Sequence, residues 1–552
     1  MPDRKRILIV GGVAGGASAA ARARRLDETA EIILFDRGPF ASFANCGLPY
    51  YVGDVITEEK KLIVASSDLF RTRFNIEVRT ENDVLAVDRG ASEIEVRELR
   101  TGRVYRERYD ALVLAPGAAP IRPPLPGIDR PGIFALRTIP DSRRIRDWIL
   151  EKKAARAVVV GAGFIGLEMA ENLVRRGLAV TMIDISKQVL PPLDAEMAAY
   201  VADVLTANGV NLHLGDGLAG FEDGTDGAAL TVRTASGAAL PADLAILGLG
   251  VRPEVTLAKA AGLEIGARGG IRTDAHMRTS DPKIWAVGDA VEVRDAVTGE
   301  WTVIPLAGPA NRQGRVAAEN ICGRPSVFRG VQGTAVCGVF GTTVAATGAS
   351  EKSLKRAGVT TYEKVYLHPG SHAGYYPGAR PIHMKLLFST ADGRVLGAQA
   401  VGEEGVDKRI DVIAMAIQKG ATVADLEEAE LCYAPQFGAA KDPVNIAGMI
   451  AGNALRGDLP LAHWENLSDP DAMLVDVREP AEFAAGHVPG AVNVPLSELR
   501  SRVGELPADR EIRLYCGVGQ RAYYATRLLL QHGRRVRNLP GGWQTYLAWK
   551  KA

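Results

Sequence analysis

Hydrophobic runs that end in glycine recur along the chain and predict buried strands. The run Ile7–Val10 leads directly into glycines, a helix rich in alanine and arginine follows, and a second run ends at Asp36. The same order recurs between Ala157 and Asp184. A strand, a glycine turn, a helix and a second strand ending in an acid form the βαβ opening of a Rossmann-type dinucleotide-binding domain. The chain is therefore predicted to be an α/β protein with two nucleotide sites.

Later hydrophobic runs predict how the chain continues beyond these sites. The runs Ala111–Gly117 and Leu244–Gly250 are typical of strands that return the chain from one nucleotide domain to the other. Alternating strands and then helices follow, which predicts an α+β domain. A short linker and a compact α/β unit complete the chain. The predicted domains are 1–115 with 246–327 for the first nucleotide, 116–245 for the second, 328–452 for the α+β domain, 453–462 for the linker and 463–552 for the last unit.

Composition narrows the class of protein. The chain of 552 residues is too long for one core. Its 66 Lys and Arg oppose 65 Asp and Glu, which gives no argument for nucleic acid or an anionic membrane as a partner. We find neither a signal peptide nor an apolar stretch long enough to cross a bilayer. The five cysteines are scattered, and the eight histidines form no spaced cluster with them, so we expect a reduced cytoplasmic protein without a metal site.

The glycine loop after Ala157 fits the dinucleotide fingerprint in full. Gly161, Gly163 and Gly166 stand at its three positions, so the helix that follows can aim its N–H groups at a pyrophosphate. Asp184 can accept both ribose hydroxyls and would repel a 2′-phosphate, which favours NADH. Lys187 weakens this preference, so NADPH stays open.

The first glycine loop departs from the fingerprint at its middle position. Gly11 and Gly16 stand at the first and third positions, but Val13 occupies the second. A glycine-rich turn without a ligand is the alternative interpretation. Asp36 and the later Asp289 favour a nucleotide. Two dinucleotide sites in one chain indicate electron transfer from a nicotinamide to a bound flavin.

Several further phrases carry a resemblance to a known family. The phrase Ser42–Tyr50 (SFANCGLPY) resembles the coenzyme A-disulfide reductase branch of the pyridine nucleotide–disulfide oxidoreductases. The resemblance covers residues 5–450 and implies a homodimer with FAD, NAD and dimerisation domains, and coenzyme A as substrate or ligand. The other phrases that carry it are Ile284–Ala290, Ile304–Gly314, Ser371–Gly378 and Tyr433–Pro443.

The resemblance and the two glycine loops together give the expected cofactor-binding residues. FAD is implied on the first loop, on Asp36 and Asp289, and on the segment 305–314. In chain order, the expected cofactor-binding residues are Gly11, Gly12, Val13, Ala14, Gly15, Gly16, Asp36, Arg37, Ser42, Asn45, Cys46, Ala115, Gly117, Arg137, Gly161, Gly163, Phe164, Ile165, Gly166, Asp184, Gly250, Gly288, Asp289, Pro305, Leu306, Ala307 and Asn311.

Cys46 lies inside the phrase SFANCGLPY and is the expected redox centre. Reductases with a dithiol relay place a second cysteine five residues on, but this position is Tyr51. Cys46 must therefore store an oxidising equivalent as a mixed disulfide, a persulfide or a sulfenic acid. We expect its pKa to be lowered by a nearby flavin and a helix N-terminus. An inert buried cysteine is the alternative, which the flanking phrase disfavours.

The resemblance also implies residues that contact the sulfur substrate. Basic positions of the helix after the first loop are implied to contact coenzyme A phosphates, although such a charge run is normally a solvated face. Tyr375 and Tyr433 are implied to line the partner subunit's active site, where they could stabilise a departing thiolate or act as general acids. The expected substrate-binding residues are Ser18, Arg22, Arg25, Ser42, Asn45, Arg73, Tyr375, Lys441 and, in the last unit, Arg521.

The C-terminal unit resembles a single rhodanese domain. The phrases that carry this resemblance are Leu474–Phe483, Gly486–Pro495, Cys516–Arg521 and Leu539–Trp543. Cys516 opens a loop with two glycines ahead of a helix, and its backbone N–H groups can hold a thiolate or a persulfide anion. Arg521 is expected to add positive charge to this loop, while Asp476, Arg478 and His487 are expected to be structural.

These features predict an FAD-dependent enzyme that passes electrons from NADH to sulfur through Cys46, with Cys516 handling sulfane sulfur. The rhodanese unit shifts the expected acceptor from coenzyme A disulfide towards coenzyme A persulfide or polysulfide. An NADH oxidase or peroxidase is the first alternative, since it also uses one cysteine. A sulfur carrier or redox-sensing protein is the second, and the complete glycine fingerprint argues against it. The physiological acceptor, and any transfer of sulfur between Cys516 and Cys46, stay open.

Overall fold

The chain folds into two compact units. The computed structural model describes residues 4–225, 227–467 and 469–552. One unit falls within residues 1–185 and 216–331, and the other within 186–215 and 332–552. None of the helices in the described ranges is long and apolar enough to span a membrane.

Strands and helices alternate through most of the chain. From residue 4 to 185 the elements are β1 (Arg6–Val10), α1 (Ala14–Leu26), β2 (Glu31–Asp36), β3 (Ser42–Phe43), α2 (Leu48–Val52), β4 (Ile63–Ala65), α3 (Ser67–Phe74), β5 (Glu77–Thr80), β6 (Asn82–Asp88), β7 (Glu93–Glu98), β8 (Val104–Arg108), β9 (Ala111–Leu114), β10 (Ala118–Pro120), β11 (Ile133–Phe134), α4 (Ile139–Glu151), β12 (Arg156–Val160), α5 (Phe164–Arg175) and β13 (Ala179–Asp184). From 186 to 331 they are α6 (Ala195–Ala207), β14 (Asn211–Leu214), β15 (Leu218–Asp223), β16 (Leu230–Thr234), β17 (Ala239–Ala242), β18 (Leu244–Leu247), β19 (Val251–Pro253), α7 (Thr256–Ala260), β20 (Ile271–Arg272), β21 (Ile284–Ala286), β22 (Val291–Arg294), β23 (Trp301–Thr302) and α8 (Ala307–Ile321). From 332 to 552 they are β24 (Ala335–Val339), β25 (Thr342–Gly348), α9 (Glu351–Arg356), β26 (Tyr362–Leu367), β27 (Ile382–Ser389), β28 (Val395–Gly402), α10 (Val406–Gln418), α11 (Val423–Glu427), α12 (Pro443–Leu455), β29 (Ala472–Asp476), α13 (Pro480–Ala484), β30 (Val492–Asn493), α14 (Leu496–Arg502), β31 (Glu511–Tyr515), α15 (Gln520–Gln531), β32 (Val536–Asn538) and α16 (Gly542–Lys551).

The first unit contains two parallel sheets that carry the predicted glycine loops. The first sheet has the order β21-β9-β1-β2-β5, and the apolar side chains of its central strand β1 are buried. Because these strands are parallel, Gly11, Asp36 and Asp289 lie at or just beyond their carboxyl ends, at one edge. In the second sheet the strands of this unit run β11-β18-β12-β13. Gly161 and Asp184 lie at its corresponding edge.

The second unit is built on one antiparallel and one parallel sheet. Strands β24-β25-β28-β27-β26 form the antiparallel sheet, and α10 and α12 add Ile410 and Val444 to its core. Strands β30-β29-β31-β32 form the parallel sheet of the C-terminal domain, whose core includes Val475 and Leu514. Helix α6 belongs to the same unit and packs against α16.

The predicted fold class agrees with the observed architecture. Two Rossmann-type sheets, an antiparallel sheet with helices and a C-terminal α/β domain follow one another as the hydrophobic pattern indicated. Helix α12 continues to Leu455, so it occupies the first residues of the predicted linker 453–462. The domain boundaries themselves stay predictions.

Candidate active sites

The first glycine loop forms an open cradle between β1 and α1. Gly11 has a φ of +98°, and a Cβ at Gly12 would lie 2.0 Å from the carbonyl oxygen of Ala41. Val13 is the N-cap of α1 and gives the helix no side-chain cap. The first N–H groups of this 13-residue helix are therefore available to an anion such as a pyrophosphate.

Two half-buried carboxylates flank this cradle. Asp36 accepts hydrogen bonds from the N–H groups of Gly12 (3.0 Å) and Gly38 (2.8 Å). Burial raises the pKa of Asp36, and it also raises the pKa of Asp289. Hydroxyl donors of a ribose or a flavin would offset this desolvation, so the residues present fit FAD. The predicted Arg37 is largely exposed and faces Asp83 at 3.6 Å.

The segment before α8 closes the other side of the first loop. Pro305 and Leu306 precede α8, which begins at Ala307, and a Cβ at Gly314 would lie 2.3 Å from the carbonyl oxygen of Gly15. This close approach explains why glycine stands at position 314. Ser18 and Asn311 are joined by a side-chain hydrogen bond across the two helices.

Further expected cofactor residues are connected by hydrogen bonds. Arg137 donates from Nη2 to the carbonyl oxygen of Pro116 at 3.0 Å, and Asn45 donates from Nδ2 to that of Arg137 at 3.3 Å. The N–H group of Gly288 donates to Oε1 of Gln313 at 2.7 Å. Gln313 was not predicted, although the phrase Ile304–Gly314 contains it.

The second glycine loop has the geometry that its complete fingerprint predicts. Gly161 has a φ of +107°, and a Cβ at Gly166 would lie 1.9 Å from the carbonyl oxygen of Gly161. A Cβ at Gly163 would meet nothing within 4 Å, which leaves the space that a pyrophosphate needs. The N–H group of Ala162 donates to Oδ2 of Asp184 at 2.6 Å. The residues present thus fit a nicotinamide dinucleotide.

Cys46 lies in a 3₁₀ turn, Asn45–Gly47, that leads into the short helix α2. The residue is exposed on the single chain. Desolvation by the surrounding protein is the largest cause that raises its pKa. The carboxylates of Glu168 and Asp289 raise the pKa further. The expected lowering of this pKa included a bound flavin, whereas the groups of the chain itself act in the opposite direction. Two nearby carboxylates oppose ionisation of the thiol, and the sequence pattern had placed neither beside it.

Glu168 and Tyr50 form a pair beside Cys46 that sequence reasoning missed. The hydroxyl of Tyr50 donates to Oε1 of Glu168 at 3.3 Å, and burial raises the pKa of Glu168. Tyr50 ends the phrase SFANCGLPY, and Glu168 lies two residues after Gly166, the last fingerprint glycine. Their places in two recognised motifs could have pointed to this pair.

The basic residues predicted for coenzyme A have different surroundings. Arg22 is paired with Glu319, to which its Nε donates at 3.1 Å, so it is already bound within the chain. Arg25 and Arg73 are exposed, as is Asn45, whereas Ser42 is buried. These substrate assignments stay predictions.

The two predicted tyrosines of the second unit meet each other. The hydroxyls of Tyr375 and Tyr433 lie 2.6 Å apart, and both side chains are exposed on the single chain. The hydrogen bond with Tyr433 is the largest cause that raises the pKa of Tyr375. Lys441 is exposed as well.

Cys516 lies between β31 and α15, where α16 supports its loop. The N–H group of Gly519, which has a φ of +103°, donates to the sulfur of Cys516 at 3.2 Å. At the start of α16, the N–H groups of Trp543 and Gln544 donate to the carbonyl oxygens of Cys516 (2.7 Å) and Gly517 (3.1 Å). The residue Cys516 is only 1% exposed. The loop is a narrow cup that suits a single sulfur atom better than a bulky group.

Arg521, which was expected to add positive charge beside Cys516, is paired with a carboxylate. Arg521 donates from Nη1 and Nη2 to the two carboxylate oxygens of Glu482, at 2.6 and 2.7 Å. This bond is the main reason that the pKa of Glu482 falls to about 2. The positive charge expected of Arg521 is therefore compensated by a carboxylate 39 residues away along the chain.

The residues expected to be structural in this domain have structural contacts. Arg478 binds Asp476 at 2.7 Å and donates to the carbonyl oxygen of Gly486 at 2.6 Å. His487 stacks on Phe483 with ring centroids 3.8 Å apart. These contacts connect the segment after β29 to the turn before β30.

The fold and the two sites define a flavin-dependent pyridine nucleotide oxidoreductase with a rhodanese domain. The chain belongs to the family described as "Pyridine nucleotide-disulphide oxidoreductase", which matches residues 5–314. The dimerisation domain of that family matches residues 334–442, and a "Rhodanese-like domain" matches 460–549. Membership of this family implies FAD and NAD(P)H as cofactors.

Particular relatives refine this class. A coenzyme A disulfide reductase of Staphylococcus haemolyticus is 35% identical over 445 residues, which cover 80% of this chain and 98% of that protein. The structure of reduced Bacillus anthracis CoADR-RHD is 47% identical with a TM-score of 0.96, covering 99% of this chain and 98% of that chain. A NAD-dependent persulfide reductase from A. fulgidus is 37% identical with a TM-score of 0.91, covering 98% and 100%. A water-forming NADH oxidase from Lactobacillus brevis is 28% identical with a TM-score of 0.77, covering 82% and 99%.

Proposed function

We propose that the protein is an FAD-dependent NADH:sulfur oxidoreductase that reduces persulfides, polysulfides and coenzyme A disulfide. The observation that carries this proposal is the combination of Cys46, without a cysteine at position 51, and the sulfur cup of Cys516 in one chain. The similar proteins that match nearly the whole chain include a persulfide reductase. The coenzyme A disulfide reductase of S. haemolyticus matches only 80% of it. A rhodanese domain in the same chain as the reductase part supports a sulfane-sulfur acceptor.

The chemistry at Cys46 needs one thiolate and two electrons. The Cys46 thiolate attacks the inner sulfur of a persulfide RSSH, which forms Cys46–S–S–R and releases HS⁻. When bound, FAD and NADH supply the two electrons that cleave this mixed disulfide into the Cys46 thiolate and RS⁻. With a symmetric disulfide RSSR, the first step releases RS⁻ instead. Tyr50 and Glu168 are placed to hold a proton beside the sulfur during these steps.

The choice of nicotinamide rests on Asp184. Its carboxylate lies at the end of β13 and is held by the N–H group of Ala162 at 2.6 Å. A 2′-phosphate at this position would meet a negative charge, whereas the ribose hydroxyls would donate to it. We therefore propose NADH as the preferred donor.

The substrate and the assembly are parts of the same proposal. Arg25 and Arg73 are exposed cations in the first unit that could contact the phosphates of coenzyme A. The exposed pair Tyr375–Tyr433 suits a role in the active site of a homodimer, since it offers hydroxyl donors on a surface. The homodimer and the cytoplasmic location stay predictions.

The substrate class can be tested with the wild-type protein. Anaerobic NADH consumption would be followed with coenzyme A persulfide, polysulfide and coenzyme A disulfide in parallel, together with sulfide release. The proposal expects turnover with all three and the highest kcat/KM with persulfide. Turnover of the disulfide alone would contradict the sulfane-sulfur part. Oxygen uptake equal to NADH loss, with no turnover of sulfur acceptors, would favour the NADH oxidase function instead.

A further inference from the structure

The ion pair between Arg521 and Glu482 sets the charge of the Cys516 cup. Arg521 is the last residue of the loop phrase and lies in the first turn of α15. Its bond with Glu482 is the largest cause that raises the pKa of Arg521, and the charge of Cys516 and a hydrogen bond with it raise this pKa further. Both of its terminal nitrogens are nevertheless bound to Glu482. The cation nearest the sulfur is thus compensated.

Glu482 is held in this position by its own helix. It lies in the first turn of α13, and its Oε2 accepts a hydrogen bond from the N–H group of Glu479 at 3.1 Å. The carboxylate is therefore oriented before any substrate arrives. Its side chain is 41% exposed and that of Arg521 is 32% exposed, so the pair borders solvent at the cup.

The second arginine near the cup is compensated in the same manner. The guanidinium of Arg478 lies over the ring of Trp543, which begins the helix that supports the loop, at 4.9 Å. It is bound to the carboxylate of Asp476 at 2.7 Å. The two arginines, Arg521 and Arg478, are therefore each paired with a carboxylate.

We propose that Glu482 is a specificity-determining residue, which selects singly charged sulfane-sulfur donors over dianionic thiosulfate by neutralising Arg521. This inference rests on the proposed function of Cys516 as the sulfur-handling residue. An unpaired arginine beside the sulfur would attract a dianion more than a monoanion, since the Coulomb energy scales with the charge. A compensated arginine removes this advantage, and the close carboxylate adds repulsion.

The transfer step is the same for both classes of donor. The Cys516 thiolate attacks the outer sulfur of a persulfide RSSH, which breaks the S–S bond, forms Cys516–S–SH and releases RS⁻. With thiosulfate, the same attack forms Cys516–S–S⁻ and releases sulfite. Cyanide then attacks the outer sulfur, which yields thiocyanate and restores the thiolate. The donors differ in the charge they bring to Arg521.

The test compares thiosulfate and cysteine persulfide, which carries a single net negative charge, as donors to cyanide, with the full-length protein and thiocyanate as the product measured. For Glu482→Gln we expect kcat/KM for thiosulfate to rise about tenfold or more, mainly through a lower KM. The persulfide value should change less than about threefold. The gain with thiosulfate should shrink at high salt, because the exposed charges are screened. Glu482→Asp, which keeps the charge, should restore most of the discrimination.

Two further variants separate this effect from a general disturbance. Glu498 of α14 is paired with Arg502 at 2.9 Å and is not among the causes that shift the pKa of Arg521, so Glu498→Gln should leave both donors unchanged. In the double variant Glu482→Gln with Arg521→Gln, the gain with thiosulfate should disappear. An equal change with both donors, or a gain that survives removal of Arg521, would overturn the inference. Persistent thiocyanate formation in Cys516→Ser would instead refute the function proposed for Cys516.

Discussion

Glu168 is the residue whose charge most directly opposes ionisation of Cys46 among the side chains of the chain. After burial, it is the largest cause that raises the pKa of this thiol. A raised pKa leaves a smaller thiolate fraction at a given pH, and removal of a nearby negative charge increases that fraction. The acidity of Cys46 is thus a property of its neighbours.

Substitution of Glu168 should therefore move the titration of Cys46. For Glu168→Gln we expect the pH profile of Cys46 alkylation by iodoacetamide to shift to lower pH. Glu59→Gln is the control, because Glu59 is paired with Arg143 at 2.7 Å and is not among the causes of the shift at Cys46. A profile that stays in place, or moves to higher pH, would show that Glu168 does not act on the thiol.

The residue scale is also where the sequence was least informative. The motifs identified Cys46, Cys516, Arg521 and Asp289, but not Glu168 or Glu482, which also set the electrostatics of the two cysteines. Glu168 and Cys46 are 122 positions apart in the sequence. Glu482 and Arg521 are 39 positions apart, and two strands lie between them. Hydrophobic periodicity reports which side of an element is buried. It does not report which distant side chain faces a reactive group.

At the scale of elements, the turn from β12 into α5 shows what each fingerprint glycine does. A Cβ at Gly166 would overlap the carbonyl oxygen of Gly161 at 1.9 Å, whereas a Cβ at Gly163 would meet nothing within 4 Å. Glycine at position 166 is therefore required by packing. Glycine at position 163 leaves room for a ligand.

Two alanine variants should separate these roles. Gly166→Ala should destabilise the protein by about 1–3 kcal/mol, because the helix must move away from the strand. Gly163→Ala should leave the Tm nearly unchanged and raise the KM for NADH, because the new methyl group occupies the space for the pyrophosphate. Thermal unfolding and NADH kinetics would be measured for both. Equal loss of stability in the two variants would contradict this assignment.

Elements were predicted well where glycine or proline bounds an apolar run. Strand β1 contains the predicted run Ile7–Val10, and β9 and β18 begin where the predicted runs Ala111–Gly117 and Leu244–Gly250 begin. The small antiparallel sheet β6-β7-β8 was not predicted, since its strands are rich in charged residues and half-exposed. Sheets of this kind depend on cross-strand contacts that a local pattern does not contain.

On the scale of the whole molecule, a half-buried histidine pair joins the rhodanese domain to the rest of the second unit. His368 lies 2.8 Å from His383 and 2.9 Å from Oγ1 of Thr545 in α16. The ring of His383 stacks on Tyr200 of α6 with centroids 4.0 Å apart. Burial lowers the pKa of His368 to about 3 and that of His383 to about 4. Both are therefore neutral in the folded protein.

This pair makes the stability of the second unit depend on pH. The unfolded chain binds protons at these histidines below their ordinary pKa of 6.5, but the folded chain does so only near 3 to 4. Stability is therefore fully present above pH 6.5 and is lost as the pH falls towards 4. At pH 5 each histidine should cost up to about 2 kcal/mol.

Thermal unfolding at pH 7 and pH 5 tests this dependence. For His383→Gln we expect a smaller fall in Tm between the two pH values than for the wild type. His532→Gln, at an exposed position after α15, should keep the wild-type difference. A fall in Tm that is the same in all three proteins would exclude the half-buried pair as its source.

The central claim is that Cys46 carries the reduction and Cys516 the handling of sulfane sulfur. Its most direct test is anaerobic NADH consumption with coenzyme A persulfide in the wild type, Cys46→Ser and Cys516→Ser. Cys322→Ser serves as the control, since Cys322 follows α8 and its sulfur contacts the carbonyl oxygen of Ala23. The account predicts a loss of about 10³-fold or more in Cys46→Ser alone, with thiocyanate formation lost only in Cys516→Ser. Persistent persulfide reduction in Cys46→Ser would contradict it.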